Sequence, residues 1–166
     1  MQLYIVRHGI AIDREDPKCP ADPERFLTED GLEKTAEVAK GVARISDMPD
    51  LMLTSPYVRA WQTAELFADA LDYPRQKIRK TDALLPGAEP QQLFRELSKD
   101  KELSAAFVFG HAPHLDELLA TALGSKQHIS SLKKAGVALV ELKRFAPPSG
   151  QLIWLGTPKL LRKIGK

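Results

Sequence analysis

Residues 2–9, Gln2-Leu3-Tyr4-Ile5-Val6-Arg7-His8-Gly9, join a short apolar run to a cation, an imidazole and a glycine. The run predicts a buried strand over residues 2–6. In an open α/β sheet, ligands bind at the carboxyl ends of the strands. A guanidinium there can hold a phosphate through two hydrogen bonds, and a neutral imidazole can attack phosphorus. A surface Arg-His pair after an edge strand would explain the same residues.

Two further segments have the same organisation. Residues 51–64 predict a strand, a turn and a helix, in which Ser55 caps the helix and Arg59 lies in its first turn. The positive end of the helix dipole favours an anion at that place. Residues 107–113 form another apolar strand pattern, which ends in Gly110-His111. Three separate strands therefore each end in a cationic or imidazole group, which favours function over coincidence.

Strand-like and helix-like apolar patterns alternate along the chain. The predicted strands cover residues 2–6, 50–54, 78–85, 105–110, 136–143 and 150–156. The predicted helices cover residues 28–45, 56–71, 91–99, 114–123 and, at the basic end, 159–166. Residues 10–26 form a long polar loop, and loops of that length are commonly lids or mobile surface. This order predicts one α/β domain, residues 1–166, with a mostly parallel sheet covered on both faces.

The order and spacing of four motifs agree with one known family. These motifs are Arg7-His8-Gly9, the helix start Leu27-Thr28-Glu29-Asp30-Gly31, the segment from Ser55-Pro56 through Arg59-Ala60 to Gln62-Thr63-Ala64, and Gly110-His111. In them the chain resembles the histidine phosphatase (phosphoglycerate mutase-like) superfamily. Its small size and residues 110–115 are most similar to the SixA-type phosphohistidine phosphatases. The resemblance covers nearly the whole chain.

The resemblance implies a three-layer α/β/α sandwich. Only helix, strand, helix and strand are predicted between Arg59 and His111, which leaves no room for a large cap domain. A missing cap implies an open site. An open site suits bulky substrates, including a phosphorylated side chain on another protein.

The resemblance also assigns the catalytic roles. It implies that His8 is the nucleophile and becomes transiently phosphorylated, and that Arg7 and Arg59 hold the phosphoryl oxygens. His111 and the backbone N–H of Ala112 would donate further hydrogen bonds. Two nearby guanidinium groups should lower the pKa of His8 by like-charge repulsion, which keeps the attacking nitrogen unprotonated. No metal or other cofactor is expected, because the arginines supply the positive charge.

The general acid is the point at which the chain departs from much of the superfamily. Many members place a glutamate soon after the third strand, where Glu89 is the only candidate here. The adjacent Pro90 leaves the direction of Glu89 open, and a solvated loop glutamate explains it equally well. An alkoxide leaving group needs a proton donor, whereas imidazole, with a pKa of about 6.5, needs little help. A weak acid therefore favours phosphohistidine over a phosphate ester.

The resulting hypothesis is a metal-independent phosphatase with a phosphohistidine enzyme intermediate, acting on phosphohistidine of a protein. Two alternatives stay open. One is a phosphatase of a small-molecule phosphate ester, and the other is a non-catalytic module that binds a phosphorylated ligand. The substrate, the pathway and the role of Glu89 are not determined by the sequence.

Composition excludes several classes of protein. The 166 residues carry a net charge of only +2, which argues against a strong polyanion binder, so no nucleic acid partner is expected. The single cysteine, Cys19, excludes an internal disulfide and suits a reducing compartment. No signal peptide or membrane-spanning stretch is recognisable. We therefore expect a cytoplasmic monomer without a membrane partner.

Two groups of residues allow a second interpretation. The pairs Lys133-Lys134 and Arg162-Lys163 could attract an acidic partner, although solvated surface charge is the usual explanation. His111 and His114 could suggest a metal, but no cysteine or carboxylate cluster completes a site. We expect His114 to begin a helix.

Overall fold

One six-stranded sheet forms the centre of the fold in a computed structural model, which describes residues 1–100, 102–127 and 129–166. The strands are β1 (Gln2–Arg7), β2 (Leu51–Thr54), β3 (Arg79–Lys80), β4 (Ala105–Gly110), β5 (Val137–Phe145) and β6 (Pro148–Gly156). Their order is β3-β2-β4-β1-β5-β6. The first four strands pair in parallel, and β5 and β6 add antiparallel to β1.

Five helices cover the two faces of this sheet. They are α1 (Glu29–Ala43), α2 (Val58–Ala70), α3 (Pro90–Leu97), α4 (His114–Ala122) and α5 (Pro158–Ile164). Apolar residues of α3 and α4 pack on one face, and those of α1, α2 and α5 pack on the other. Leu3 and Ile5 of β1 point to the first face and Tyr4 to the second, as the two-residue period of a strand requires. The three-layer α/β/α sandwich is confirmed.

The carboxyl ends of three neighbouring strands lie at one level. β1 and β4 pair with Val6 opposite Phe109 and Arg7 opposite Gly110. The ladder continues past the strand, since the His8 N–H donates to the Gly110 carbonyl at 3.0 Å. On the other side of β4, the Ser55 N–H donates to the Phe109 carbonyl at 2.9 Å. The residues that follow β1, β2 and β4 therefore meet at one edge.

The strand expected over residues 78–85 is wrong beyond its start. Only Arg79–Lys80 pair with β2, and a 3₁₀ turn follows at Asp82–Leu84. Thr81 Oγ1 accepts from the Ala83 N–H at 3.2 Å and begins this turn, which buries Leu84 completely. The β-strand propensity of the sequence favoured an extended chain here. The cap by Thr81 and the burial of Leu84 favoured the 3₁₀ turn instead. The other predicted strands and helices lie within two residues of their observed bounds.

The described residues between α2 and β4 form no large cap. The intervening chain forms two 3₁₀ turns, Arg75–Lys77 and Asp82–Leu84, with β3 and α3. Across the three described ranges, no helix is both long and apolar enough to cross a bilayer.

Gly31 brings α1 against the segment that follows β1. Thr28 caps α1, because its Oγ1 accepts from the Gly31 N–H at 3.0 Å, and the Thr28 N–H donates to the Ile10 carbonyl at 3.0 Å. A Cβ atom on Gly31 would lie 2.0 Å from that Ile10 carbonyl oxygen. The glycine of the helix-start motif is therefore needed for a close approach of two backbones.

We expect Gly31→Ala to lower the free energy of unfolding by about 1–3 kcal/mol, because the added methyl group forces backbone atoms apart. Chemical denaturation measures the change. Glu33→Ala, an exposed substitution on the same helix, is the control and should change stability by about 0.5 kcal/mol or less. Equal stability of the Gly31→Ala variant and the wild type would contradict the close-packing argument.

Candidate active site

The aligned strand ends bring the sequence-predicted residues together. The rings of His8 and His111 have centroids 5.2 Å apart, and the charges of Arg59 and Arg7 both act on His8. His8, Arg59 and His111 are 8%, 3% and 2% exposed, whereas Arg7 is half-buried. Ala112 directly follows His111 at the end of β4. The role of its N–H stays a prediction.

His8 has a defined tautomer. Its Nδ1 lies 2.7 Å from the Gly9 carbonyl oxygen, which can only accept a hydrogen bond. The ring proton is therefore on Nδ1, and Nε2 carries the lone pair. Burial is the largest cause that lowers the pKa of His8. The hydrogen bond to the Gly9 carbonyl raises the pKa, but the charges of Arg59 and Arg7 lower it, and the result is a pKa of about 3. The imidazole is thus a neutral base at physiological pH, as a nucleophile requires.

His111 is also held neutral. Burial lowers its pKa to about 2, with further contributions from His8 and Arg59. Its Nε2 lies 2.8 Å from Ser55 Oγ, which in turn accepts from the Tyr57 N–H at 3.3 Å. We assign the serine hydroxyl proton to the bond with Nε2, which places the ring proton on Nδ1. That Nδ1 is buried and has no hydrogen-bond partner among the residues that the structure describes.

Ser55 is therefore not the helix cap that the sequence suggested. Tyr57 is the cap residue of α2, and it makes no side-chain capping bond. The serine instead positions His111, because its backbone pairs with β4 and its side chain faces the residue that follows β4. This role depends on the neighbouring strand and has no local signal in the sequence.

Two polar side chains of α2 fasten this helix to the rest of the site. Thr63 Oγ1 donates to the Arg59 carbonyl at 2.8 Å and accepts from the Gly9 N–H at 3.1 Å. Gln62 Oε1 accepts from the Leu27 N–H at 2.7 Å. These contacts explain why Gln62 and Thr63 accompany Arg59 in the helix motif.

Arg7 is oriented by a buried carboxylate that sequence reasoning missed. Arg7 Nη1 donates to the Leu132 carbonyl at 2.6 Å. Asp116, which is 5% exposed, accepts from the Leu132 N–H at 2.8 Å and from Ser130 Oγ at 3.0 Å. Asp116 thus holds the segment on which the guanidinium rests. An aspartate in an amphipathic helix resembles ordinary surface charge, so the sequence carried no signal for it.

Asp22 of the long β1–α1 loop contacts the site directly. Arg59 Nη1 donates to the Asp22 carbonyl at 2.6 Å, and Nη2 lies 3.3 Å from the Asp22 carboxylate. The same carboxylate lies 3.1 Å from both Arg25 and Arg14. Partial burial raises the pKa of Asp22, but the bonds and charges of the three arginines outweigh it and hold the pKa below its ordinary value.

The expectation of an open site is wrong for the innermost side chains of the site, which are nearly buried. There is no cap domain, yet the β1–α1 loop places Asp22 on Arg59, and both histidines are nearly buried. A phosphoryl group must compete with the Asp22 carboxylate for the guanidinium. The loop is therefore part of the site, which its length suggested but its composition did not specify.

Glu89 forms no side-chain hydrogen bond or ion pair with any residue that the structure describes. It is the exposed N-cap residue of α3 and makes no side-chain capping bond. The carboxylate at the site is that of Asp22 instead. His114 begins α4, as expected, and is buried. Among the described residues, no group of three or more His, Cys, Asp or Glu side chains could hold a metal ion.

Comparison with known proteins agrees with this geometry. A model of the histidine phosphatase superfamily, branch 1, matches residues 3–85. The chain belongs to the histidine phosphatase superfamily. The match includes the strand end with Arg7-His8-Gly9 and the helix with Arg59. As a member of this superfamily the protein is a phosphatase.

Individual relatives extend the likeness over most of the chain. An uncharacterized protein of Picosynechococcus is 38% identical over 143 residues, which is 82% of each chain. The phosphohistidine phosphatase SixA homolog of Haemophilus influenzae is 25% identical over 138 residues, 78% of this chain and 82% of that one. The structure of the protein histidine phosphatase SixA complexed with tungstate superposes with a TM-score of 0.84 at 24% identity, covering 96% and 98% of the two chains. The overall fold is thus similar to that of SixA.

We expect the ring of His8 to stay neutral, with the proton on Nδ1, from pH 7 down to pH 5. Its pKa is about 3 rather than the ordinary 6.5, because the ring is buried beside two arginines. Nitrogen-15 NMR of histidine-labelled protein, assigned with a His8→Gln variant, measures this. A titration midpoint near 6.5 would contradict the assignment. Since the unfolded ring takes up a proton below about 6.5 and the folded ring does not, the stability contributed by His8 is lost as the pH falls below that value.

We expect Asp22→Asn to tighten vanadate binding by about 3–10-fold, because it removes an anion that competes for Arg59. Calorimetric titration measures the affinity. Asp16→Asn, on the same loop without a contact to Arg59, is the matched control and should bind vanadate like the wild type. Weaker binding by the Asp22→Asn variant, at unchanged thermal stability, would show that the carboxylate does not compete with the ligand.

Proposed function

We propose that this protein is a metal-independent phosphohistidine phosphatase, in which His8 Nε2 takes the phosphoryl group from a phosphorylated histidine of a protein. The observation that carries the proposal is the state of His8. The ring is neutral, its Nδ1 is fixed to the Gly9 carbonyl, and its Nε2 lone pair lies at the meeting point of three strand ends. This is the arrangement of an activated nucleophile beside fixed cations.

In the first step, the Nε2 lone pair of His8 forms a bond to phosphorus. The phosphorus–nitrogen bond of the substrate breaks, its electron pair stays on the departing imidazole, and that ring leaves with a proton. Arg7, Arg59 and His111 Nδ1 donate hydrogen bonds to the three phosphoryl oxygens. Such donors, fixed before the reaction, stabilise the charge that spreads over these oxygens during transfer. Arg59 exchanges the Asp22 carboxylate for a phosphoryl oxygen in this step.

In the second step, water attacks the phosphorus atom of phosphorylated His8. The bond from phosphorus to Nε2 breaks, its electron pair returns to the ring, and inorganic phosphate leaves with the water oxygen and both water protons. Nδ1 keeps its proton throughout, because the Gly9 carbonyl holds it. His8 is thereby restored to the neutral tautomer in which it began.

The arrangement of the carboxylates supports the proposed substrate. Asp22 is held ionised by three arginines, so it has no proton to give at neutral pH. Glu89 is exposed and makes no capping bond. Without a positioned acid, expulsion of an alkoxide loses about 10²–10⁴-fold in rate, whereas a departing imidazole can already carry its proton. The similarity to the SixA homolog supports the same substrate class.

The alternatives predict different site chemistry. A phosphatase of small phosphate esters would need a protonated carboxyl group close to the leaving oxygen. A binding module without turnover would need no neutral, oriented imidazole at the centre of the phosphate site. The tautomer of His8 therefore argues for catalysis, and the ionised Asp22 argues for phosphohistidine.

We expect His8→Ala to abolish turnover, a loss of at least about 10³-fold, because no other group can accept the phosphoryl group. Rapid quenching of the wild type with labelled phosphohistidine substrate should trap an acid-labile, base-stable phosphoenzyme. The variant should yield none, at unchanged thermal stability. Equal turnover of the variant and the wild type would remove the covalent mechanism.

We expect the wild type, in excess EDTA, to hydrolyse a phosphohistidine protein faster than alkyl phosphates by about 10²-fold or more in kcat/KM. Glu89→Gln should leave both rates unchanged, since that carboxylate is not joined to the site. A faster reaction with an alkyl phosphate would establish the ester phosphatase. A loss of activity in EDTA that a divalent ion restores would contradict metal independence.

A further inference from the structure

A second cavity lies directly beside the phosphate site. Its volume is about 530 Å³, and it lies between α1, α5 and the turn at Lys133–Gly136. Arg7 lines it and so connects it to the catalytic centre. Its other charged lining residues are Lys34, Lys133, Lys134 and Arg162, and no acidic residue lines it. The cavity is therefore strongly positive, although the whole chain has a net charge of only +2.

The turn that carries two of these lysines is held against the catalytic strand. The Gly136 N–H donates to the Lys133 carbonyl at 2.7 Å, and Ala135 has a positive φ of 60°. The Ala135 N–H lies 3.1 Å from the Arg7 carbonyl and 3.0 Å from the His8 carbonyl. An alanine in the left-handed region is uncommon and strained, and such strain is concentrated at functional sites. The turn thus fixes Lys133 and Lys134 beside the catalytic residues.

The five cations of the cavity differ in their partners. Lys34 pairs with Asp30 at 2.7 Å, and Arg162 pairs with Glu37. Lys133 and Lys134 are exposed and form no ion pair with any carboxylate that the structure describes. The charge of Lys134 also reaches His8 and helps to lower its pKa. Two lysine charges thus remain available at the mouth of the cavity, within electrostatic range of the nucleophile.

The lining of the cavity combines apolar and charged residues. Ile10, Ala135 and Pro158 supply apolar surface there, and Thr35 supplies a buried hydroxyl with no partner among the residues described. A cavity that combines apolar surface with cations fits a ligand with an aliphatic stem and a terminal anion. A glutamate or aspartate side chain has this form. A second phosphate group would bind best to a free arginine, whose guanidinium donates two hydrogen bonds to it. Arg162 is paired with Glu37 and Arg7 belongs to the catalytic site, so the cavity favours a carboxylate.

We propose that this cavity binds an acidic side chain of the substrate protein, close to its phosphohistidine. The inference rests on the proposed function, whose substrate it specifies further. The phosphoryl group lies among Arg7, Arg59 and His8, and the neighbouring carboxylate lies past Arg7 against Lys133 and Lys134. The two anions of one substrate then bind on the two sides of Arg7. Substrates with acidic residues beside the phosphohistidine are selected by charge complementarity.

The test compares two phosphohistidine peptides of equal length, one flanked by glutamates and one by glutamines. The wild type should prefer the acidic peptide by about tenfold in kcat/KM at low salt. In the double variant Lys133→Gln/Lys134→Gln, this ratio should fall to near one. Lys99→Gln/Lys143→Gln is the matched control, because it removes the same charge from two exposed lysines near the opposite edge of the sheet. It should keep the ratio of the wild type.

The outcomes separate the cavity from the proposed function. Hydrolysis of both peptides without an acidic preference, or with the same preference in the double variant, overturns the cavity assignment and leaves the function intact. An equal loss of preference in the control also overturns it, since the effect would be one of net charge. A charge preference seen only with bisphosphorylated sugars assigns the cavity to a second phosphate and overturns the peptide site.

Failure to hydrolyse either peptide would overturn the proposed function instead. Fluorescence anisotropy then measures binding of the same two peptides with unmodified histidine, which tests the cavity assignment independently of turnover. Tighter binding of the acidic peptide by the wild type than by the Lys133→Gln/Lys134→Gln variant supports the cavity assignment. Equal binding by the two proteins overturns it.

Discussion

The parallel pairing of β1 with β4, continued by the bond from the His8 N–H to the Gly110 carbonyl, is the constraint on which the site depends. This register sets His8 beside His111, because each follows its strand at the same level. β2 joins the same level through the bond from Ser55 to Phe109, and α2 then carries Arg59 over the strand ends. A shift of one residue in either ladder would turn every side chain to the opposite face and disperse the site.

Burial and charge act against each other at this centre. Removing the two histidines and the arginines from water lowers the pKa of all four groups, so the histidines are neutral while the guanidiniums are desolvated cations. A buried cation is costly without a partner. Arg59 has the Asp22 carbonyl and carboxylate, and Arg7 has the Leu132 carbonyl. Arg59 and Arg7 thus have internal partners at the positions where the proposed mechanism places phosphoryl oxygens.

This internal pairing links the long β1–α1 loop to catalysis. The loop supplies the Asp22 carboxylate to Arg59, and in the proposed mechanism a phosphoryl oxygen takes the place of that carboxylate. The exchange costs less than exposing an unpaired guanidinium, because one anion replaces another. Such an arrangement favours ligands whose charge exceeds that of a single carboxylate. His8 itself is only 8% exposed.

The sequence by itself determined the α/β architecture, the strand-end positions of Arg7, His8 and His111, and the place of Arg59 in the first turn of a helix. These features depend on local periodicity, which short segments express independently of their surroundings. The tertiary structure alone decided the tautomer of His8, the link from Ser55 to His111, the support of Arg7 by Asp116 and the cover of Arg59 by Asp22. Ser55 and His111 are 56 positions apart along the chain, Asp22 and Arg59 are 37 apart, and Arg7 is 125 positions from the Leu132 carbonyl that it contacts, so these contacts arise only when the sheet brings the segments together. For the same reason the strand expected over residues 78–85 ends early. Burial of Leu84 against the core, rather than local β-strand propensity, determines where the strand ends.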